Sequence, residues 1–248
     1  MIITPDFVFV HYPKTGGTFV TEMLSRLYGD QLFNTHKHGT CSDIPEEHQG
    51  KPLLSTVRNP YDRYVSQYRF GWWKLYPEEY CGADAMRDLY PHWPEISFQE
   101  FLNLANTRFL NSHFGKPTGF VNDNFPEERR LGWHTENFVR FYCRNPRQVY
   151  GRLDDEAIES AEFMKDMFDI HFLRQAHLRQ GLYDFLLALG KHRPEELSFI
   201  LSADKVLPDE GGRRPEGDRW ETYYTPDLKQ FVRTRERLIF RVFPEFEV

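Results

Sequence analysis

Residues 6–19, DFVFVHYPKTGGTF, decide the fold, because an apolar run stops abruptly at a proline, a lysine and a pair of glycines. The run FVFV is unbroken, β-branched and aromatic, as in a parallel strand that is buried on both faces. Gly16 and Gly17 let the backbone turn without a Cβ clash, so that several N–H groups converge before a helix that begins near Thr18. The segment therefore predicts a strand, a tight loop and a helix whose N-terminus binds an anion.

The side chains of this loop favour a phosphate or a similar oxyanion. Lys14 supplies a cation, and Thr15 and Thr18 supply hydroxyl groups. In the loop that binds ATP or GTP the lysine follows the glycines, whereas here the lysine precedes them. A Gly-Gly turn between a strand and a helix is often only a tight connection, so a second motif is needed to identify the ligand.

Residues 52–70, PLLSTVRNPYDRYVSQYRF, supply that second motif. The part LLSTV predicts a strand, Arg58 follows it, and Asn59 and Pro60 are the N-cap and first residue of a helix. Ser66 lies about two turns into this helix. The guanidinium of Arg58 can bind a phosphate as a fork while the Ser66 hydroxyl donates to the same ligand.

Both motifs resemble those of the sulfotransferases that use 3′-phosphoadenosine 5′-phosphosulfate (PAPS). The sequence PKTGGT at 13–18 resembles their 5′-phosphosulfate loop, and RNPYDRYVS at 58–66 is similar to their 3′-phosphate motif, Arg-Asn/Asp-Pro-x-x-Arg-x-x-Ser. The resemblance implies transfer of a sulfuryl group from PAPS to a hydroxyl, with adenosine 3′,5′-bisphosphate as product and no metal. It also implies that a basic residue of the loop at 211–220, Arg213 or Arg214, closes over the 3′-phosphate. The residues implied to bind PAPS are Lys14, Thr15, Gly16, Gly17, Thr18, Phe19, Arg58, Ser66, Arg213 and Arg214.

The reaction needs a base, and histidines at 36 and 38 are candidates, since an ordinary imidazole titrates near neutral pH. In the carbohydrate branch of the family, a Lys-His-x-Thr-like stretch with a histidine base resembles KHGT at 37–40. His38 is therefore the first choice for the base, beside the catalytic Lys14, and His36 is the reserve. Two alternatives stay open: the histidines could form a metal pair, or both could be ordinary residues of a polar loop.

Composition fits one soluble α/β domain over residues 1–248, with 40% hydrophobic and 27% charged residues. The net charge of −6 argues against a nucleic-acid partner. Three cysteines without C-x-x-C spacing indicate neither a disulfide framework nor a zinc site. Without a signal segment or an apolar run of about 18 residues, the sequence predicts no membrane span and a cytoplasmic protein.

The remaining elements complete a βαβ pattern. Apolar runs at 138–143 and 168–173 predict strands that flank a helix with an acidic start. Residues 96–110 and a segment that starts at Thr225 predict further helices. Together with the resemblance, this order predicts a P-loop NTPase-like fold with a mainly parallel sheet and helices on both faces.

The acceptor is less defined by the sequence. The aromatic residues 71–94 could line a cleft for a sugar, although core packing suits most of them better. Arg129, Arg130 and His134, together with Lys37, could attract an anionic acceptor or could form an ordinary solvated charge cluster. The expected partner is a hydroxyl-bearing acceptor, with a glycan favoured over a phenol, a lipid or a small alcohol. Two rival functions stay open, namely a P-loop kinase of small molecules and a non-catalytic nucleotide- or glycan-binding protein, the latter because Ala176 lies about where relatives often have a glutamate.

Overall fold

A computed structural model of the chain describes residues 1–110 and 112–248. The contacts within these residues form two compact units. The first unit comprises Met1–Arg58 and Phe168–Asp209, and the second comprises Asn59–Met167 and Glu210–Val248. The single domain expected over 1–248 stays a prediction.

The strands are β1 (Ile2–Ile3), β2 (Val8–Val10), β3 (Phe33–Asn34), β4 (Leu53–Val57), β5 (Ser112–His113), β6 (Lys116–Pro117) and β7 (Ile170–Arg174). The α-helices are α1 (Gly17–Tyr28), α2 (Pro60–Phe70), α3 (Trp72–Leu75), α4 (Ala83–Leu89), α5 (Phe98–Leu104), α6 (Trp133–Tyr142), α7 (Pro146–Arg152), α8 (Asp155–Glu159), α9 (Leu178–Ala188), α10 (Pro194–Ser202), α11 (Pro226–Arg235) and α12 (Arg237–Val242).

A five-stranded sheet of order β3-β1-β2-β4-β7 forms the centre of the first unit. Strand β4 pairs in parallel with β2 and with β7, whereas β1 pairs antiparallel with both β2 and β3. Strand β1 therefore runs against the other strands, which all share one direction. The mixed α/β fold with a mainly parallel sheet is confirmed.

The hydrophobic core of this unit explains why β2 and β4 are continuous apolar runs. Every residue of these two strands is buried, as expected where both faces of a sheet are covered. Helices α1, α9 and α10 contribute Met23, Leu182 and Ile200 to the same apolar cluster as Phe9 and Leu54. Burial of such side chains stabilises the fold by about 2 kcal/mol each.

In the second unit, α6 is capped by a carboxylate that lies far away in sequence. Glu236 accepts hydrogen bonds from Thr135 N at 2.7 Å, Thr135 Oγ1 at 2.8 Å and His134 N at 3.2 Å. The Tyr64 hydroxyl donates to the same carboxylate at 2.5 Å. Glu236 is fully buried, and this burial raises its pKa. The N-terminal N–H groups of α6 and the carboxylate therefore satisfy each other.

Several predicted elements are present, and one is wrong. The strand LLSTV coincides with β4, and Asn59 accepts from Tyr61 N at 3.0 Å as the N-cap of α2. Thr225 caps α11 through its hydroxyl, as predicted. The run at 138–143 was predicted as a strand, but Phe138–Tyr142 lie in α6, and only Cys143 is extended, in an isolated β-bridge with Met167. The aromatic and β-branched residues of this run favour a strand locally, but their helical spacing lets Phe138, Phe141 and Tyr142 pack into the core.

Candidate active site

The loop between β2 and α1 has the backbone expected of an anion site. Lys14 adopts φ 64° and Gly16 adopts φ 101°, and both angles lie in the left-handed region. Helix α1 begins directly after Gly16, and no side chain of the described residues caps it through the N-cap position. The first N–H groups of α1 and its dipole are therefore available to a negatively charged group.

Both loop glycines lie close to neighbouring side chains, and at Gly16 the positive φ also favours glycine. A Cβ atom on Gly16 would lie 2.7 Å from Leu178 Cδ2, in addition to the strained φ. A Cβ atom on Gly17 would lie 2.8 Å from Cγ of the His11 ring and closer still to Cδ2 and Nε2. The glycines thus allow a close approach of the neighbouring side chains to the loop.

Two other predicted loop residues have side chains that serve the fold. The Thr15 hydroxyl is fully buried, donates to Tyr12 O at 2.7 Å and lies 2.6 Å from Thr56 Oγ1. The ring of Phe19 lies in the core cluster, and the main-chain N–H of Phe19 donates to Gly16 O at 3.1 Å. Thr18 is half-buried at the start of α1. Any contact that Thr15 makes with a ligand therefore comes from its main chain.

Strand pairing brings Arg58 to this loop. The parallel register places Val10 opposite Ser55, whose hydroxyl donates to Val10 O at 2.7 Å. Arg58, just beyond β4, donates from Nη1 to Lys14 O at 3.4 Å. Burial, and after it the Arg58 charge, lower the pKa of Lys14 to about 7. A site that depresses the pKa of a lysine in this way favours a negatively charged ligand.

A pair of histidines lies within the first unit beside the same loop. His38 Nδ1 is 3.0 Å from the main-chain oxygen of His11, and the two rings are nearly perpendicular with centroids 5.0 Å apart. Burial lowers the pKa of His38 to about 4, so its imidazole is neutral at pH 7. His36, the reserve candidate, is exposed, as is Lys37. His38 is half-buried and hydrogen-bonded to the main chain of His11, whereas His36 lies at the surface.

His11 was not among the residues predicted from the sequence. It is 5% exposed, and burial lowers its pKa well below the ordinary value. The signal that could have revealed it is its position, because it follows β2 directly at the carboxyl end of a parallel strand, where α/β proteins bind ligands.

The remaining predicted binding residues belong to the second unit. Ser66 is half-buried on α2. Arg214 pairs with Asp62 at 2.5 Å and with Asp218 at 3.4 Å, whereas Arg213 is exposed. Arg214 is therefore held in a carboxylate network, and Arg213 has the freer side chain of the two. The roles of Ser66, Arg213 and Arg214 in PAPS binding stay predictions.

The residues of the second unit that were predicted to attract an anionic acceptor make contacts with other side chains of that unit. His134 is fully buried, stacks on Tyr64 and lies 2.6 Å from Gln67 Oε1. Arg129 pairs with Asp155 at 2.8 Å. A cleft of about 460 Å³ in this unit contains Arg129, and Arg233 and Arg237 in the same cleft pair with Glu247 and Asp155. None of the predicted catalytic or PAPS-binding residues lines this cleft.

Within residues 1–110 and 112–248, no group of three or more potential metal ligands is close enough to hold an ion. The same residues contain no helix of the length and apolar character that a membrane span requires.

Comparison with known proteins identifies the family. Residues 3–177 match the model of the Sulfotransferase family. This match spans most of the chain and includes the loop at Lys14, Arg58 and both histidines, and the chain therefore belongs to the sulfotransferase family. A search of curated proteins gave no match. Among solved structures, the chain is similar to a mouse sulfotransferase, SULT7A1, complexed with PAP, with 14% identity, 91% of this chain and 80% of that chain covered, and a TM-score of 0.44.

Proposed function

We propose that this chain transfers the sulfuryl group of PAPS to an acceptor hydroxyl. The observation that carries the proposal is the meeting of Lys14 and Arg58 at the loop before α1, where Arg58 Nη1 donates to Lys14 O. The site combines the side chains of Lys14 and Arg58, a lowered pKa of Lys14 and the N-terminus of α1. This combination suits a ligand with two phosphate-type groups. Membership of the sulfotransferase family, whose model matches residues 3–177, supports the choice of nucleotide.

The loop residues bind the nucleotide in this proposal. The N–H groups of Gly16, Gly17 and Thr18 face the 5′-phosphosulfate, and the side chain of Lys14 neutralises it. Arg58 binds a phosphate through its planar fork. Thr15 and Phe19 shape the loop rather than contact the ligand through their side chains, since both are buried. Ser66, with Arg213 or Arg214, is expected to complete the binding of the 3′-phosphate.

Transfer is an in-line displacement at sulfur. The acceptor oxygen forms a bond to sulfur as the bond between sulfur and the bridging oxygen of the nucleotide breaks, and the electron pair of that bond stays on the leaving bisphosphate. His38 takes the proton of the acceptor hydroxyl. The Lys14 ammonium stabilises the charge that grows on the leaving oxygen, and such a group contributes about 3 kcal/mol. The sulfuryl donor is an anion, so its binding raises the pKa of both Lys14 and His38. The higher pKa keeps the Lys14 ammonium charged and makes His38 a stronger base.

The acceptor is proposed to be a glycan. The KHGT stretch at 37–40, with His38 as base, supports this choice. In the second unit, Trp72 and Tyr76 have ring centroids 4.2 Å apart, and Tyr76 is 41% exposed, as in surfaces on which sugars stack. Trp73, by contrast, is buried and belongs to the core. The cytoplasmic location and the single domain expected from the sequence stay predictions.

The proposal is tested by incubating the purified chain with radiolabelled PAPS and a panel of acceptors that includes neutral and acidic oligosaccharides, a phenol and a small alcohol. We expect labelled product with an oligosaccharide, and none with the Lys14→Ala variant. Lys191→Ala, which removes an exposed lysine of the same unit, is the matched control and should keep full activity. Labelled product from the phenol alone would replace the glycan acceptor, and absence of any transfer would refute the function.

A further inference from the structure

The hydrogen bond between His38 and the main chain of His11 defines which nitrogen of His38 carries a proton. A carbonyl oxygen only accepts hydrogen bonds, so His38 Nδ1, which lies 3.0 Å from His11 O, is the protonated nitrogen. In a neutral imidazole the other nitrogen, Nε2, then has a free lone pair. We propose that His11 is the positioning residue of the reaction: it holds His38 as the Nδ1–H tautomer so that Nε2 accepts the proton of the acceptor hydroxyl. This inference rests on the proposed function.

The side chain of His11 keeps that carbonyl in place. The ring is 5% exposed and lies against Gly17, whose lack of a Cβ makes room for it. It also meets the His38 ring edge-to-face and lies 5.8 Å, between centroids, from the ring of Phe9 in β2. His11 is thus packed on three sides at the end of a buried strand. Its peptide group has little freedom to rotate away from His38.

The same ring links the base to the loop that is proposed to hold the sulfuryl donor. Gly17 is the first residue of α1, so the His11 ring lies between the helix N-terminus and His38. A displacement of the ring therefore changes the orientation of His38 relative to the loop. Since proton transfer depends steeply on distance and alignment, we expect turnover to suffer more than nucleotide binding.

Three variants separate positioning from other roles of His11. His11→Ala removes the ring, and we expect kcat to fall at least about tenfold, while the affinity for adenosine 3′,5′-bisphosphate changes much less. His11→Phe restores a flat ring without nitrogens, so it should recover most of the lost kcat. Gly17→Ala leaves His11 intact and displaces its ring from the opposite side, and it should reproduce the loss in kcat. Circular dichroism verifies that each variant is folded.

The direct readout is the tautomer of His38, observed by long-range ¹H–¹⁵N correlation spectroscopy on histidine-labelled protein and assigned by its absence in His38→Gln. We expect the Nδ1–H pattern in the wild type and in His11→Phe, and its loss in His11→Ala. An Nε2–H pattern in the wild type would overturn the inference. A His11→Phe variant as inactive as His11→Ala would also overturn it, because the imidazole itself would then be essential. If the Nδ1–H pattern is present but the chain neither binds the bisphosphate nor transfers sulfate, the proposed function fails and the tautomer assignment stands.

Discussion

Arg58 donates a hydrogen bond from Nη1 to the main-chain oxygen of Lys14 at 3.4 Å, although the two residues belong to different strand–loop segments. The parallel pairing of β2 with β4 produces this contact, because it brings the carboxyl ends of both strands to one edge of the sheet. The two residues that the family resemblance assigns to the 5′- and 3′-phosphates of PAPS therefore meet at one loop.

Removal of the Lys14 side chain should abolish most of the activity and leave the fold intact. The ammonium is expected to contribute about 3 kcal/mol to the transition state, so Lys14→Ala should lower kcat by about two orders of magnitude. Turnover of radiolabelled PAPS and the thermal unfolding midpoint are measured together. Lys191→Ala serves as control, and a Lys14→Ala enzyme with nearly normal turnover would contradict this role.

Proton uptake should accompany nucleotide binding. The pKa of Lys14 is lowered to about 7 by burial and by Arg58, so the ligand-free protein loses this proton above pH 7, and a bound phosphate restores it. We expect the affinity for adenosine 3′,5′-bisphosphate to fall between pH 7 and pH 9, by up to about tenfold per pH unit. The slope of the logarithm of this affinity against pH is measured by titration calorimetry. Arginine stays charged over this range, so Lys14→Arg should bind with a flatter pH profile. Equal slopes for the two proteins would refute the link to Lys14.

The neutral His38 should make the fold sensitive to acid. Burial lowers its pKa to about 4 in the folded chain, whereas the unfolded chain titrates near the ordinary value of 6.5. As pH falls from 6.5 to 4, the unfolded state takes up a proton that folded His38 does not, so stability is lost, by up to about 3 kcal/mol. Urea unfolding between pH 7 and pH 4 should therefore show a smaller loss in the free energy of unfolding for His38→Gln than for the wild type. The exposed His177, replaced in His177→Gln, provides the control and should leave the loss unchanged.

Replacement of Gly16 should lower stability for two reasons, namely the positive φ of its backbone and the close contact with a neighbouring side chain. Gly29 also adopts a positive φ, of 53°, but a Cβ there would meet no atom within 4 Å. Gly29→Ala should therefore cost only the backbone strain of a residue at φ 53° and ψ −127°, about 1–3 kcal/mol. Gly16→Ala adds the clash with Leu178 and should also abolish binding of the bisphosphate. Denaturant unfolding and calorimetry test both variants, and equal effects would show that the clash is relieved without cost.

The Glu236 carboxylate should be a main source of stability in the second unit. It satisfies two N–H groups and two hydroxyls inside the core. Glu236→Ala leaves these groups without their acceptor, and we expect a loss of about 3 kcal/mol in the free energy of unfolding. Tyr64→Phe removes a single donor and should cost about 1 kcal/mol. The exposed Glu128, changed to alanine, is the control, and a Glu236→Ala protein as stable as the wild type would exclude this capping role.

The sequence contained the local information for the candidate site but not the information carried by long-range packing. The glycines, Lys14 and the Asn-Pro pair predicted β2, α1, β4 and α2 because each depends on near neighbours in the chain. The helix α6 was missed because the carboxylate that caps it comes from Glu236, about a hundred residues away. His11 was missed for a related reason: its burial against Gly17 and His38 depends on how the chain returns to the end of β2.

The depressed pKa values illustrate the same limit. The sequence predicts His38 as the base because an ordinary histidine titrates near pH 6.5. In the structure its pKa is about 4, since burial disfavours the charged imidazole. The histidine itself was predictable from the sequence. Its pKa depends on the surrounding protein and on the bound sulfuryl donor of the proposed reaction.

The central claim is tested most directly by isothermal titration of the chain with adenosine 3′,5′-bisphosphate, beside ATP with magnesium, in the wild type and in Arg58→Ala. Arg26→Ala, which removes an exposed arginine that pairs with Glu22, is the matched control. We predict tight binding of the bisphosphate, weak binding of ATP, and a large loss of bisphosphate affinity only in Arg58→Ala. A preference for ATP, or a bisphosphate affinity that Arg58→Ala leaves unchanged, would contradict the assignment of a PAPS site.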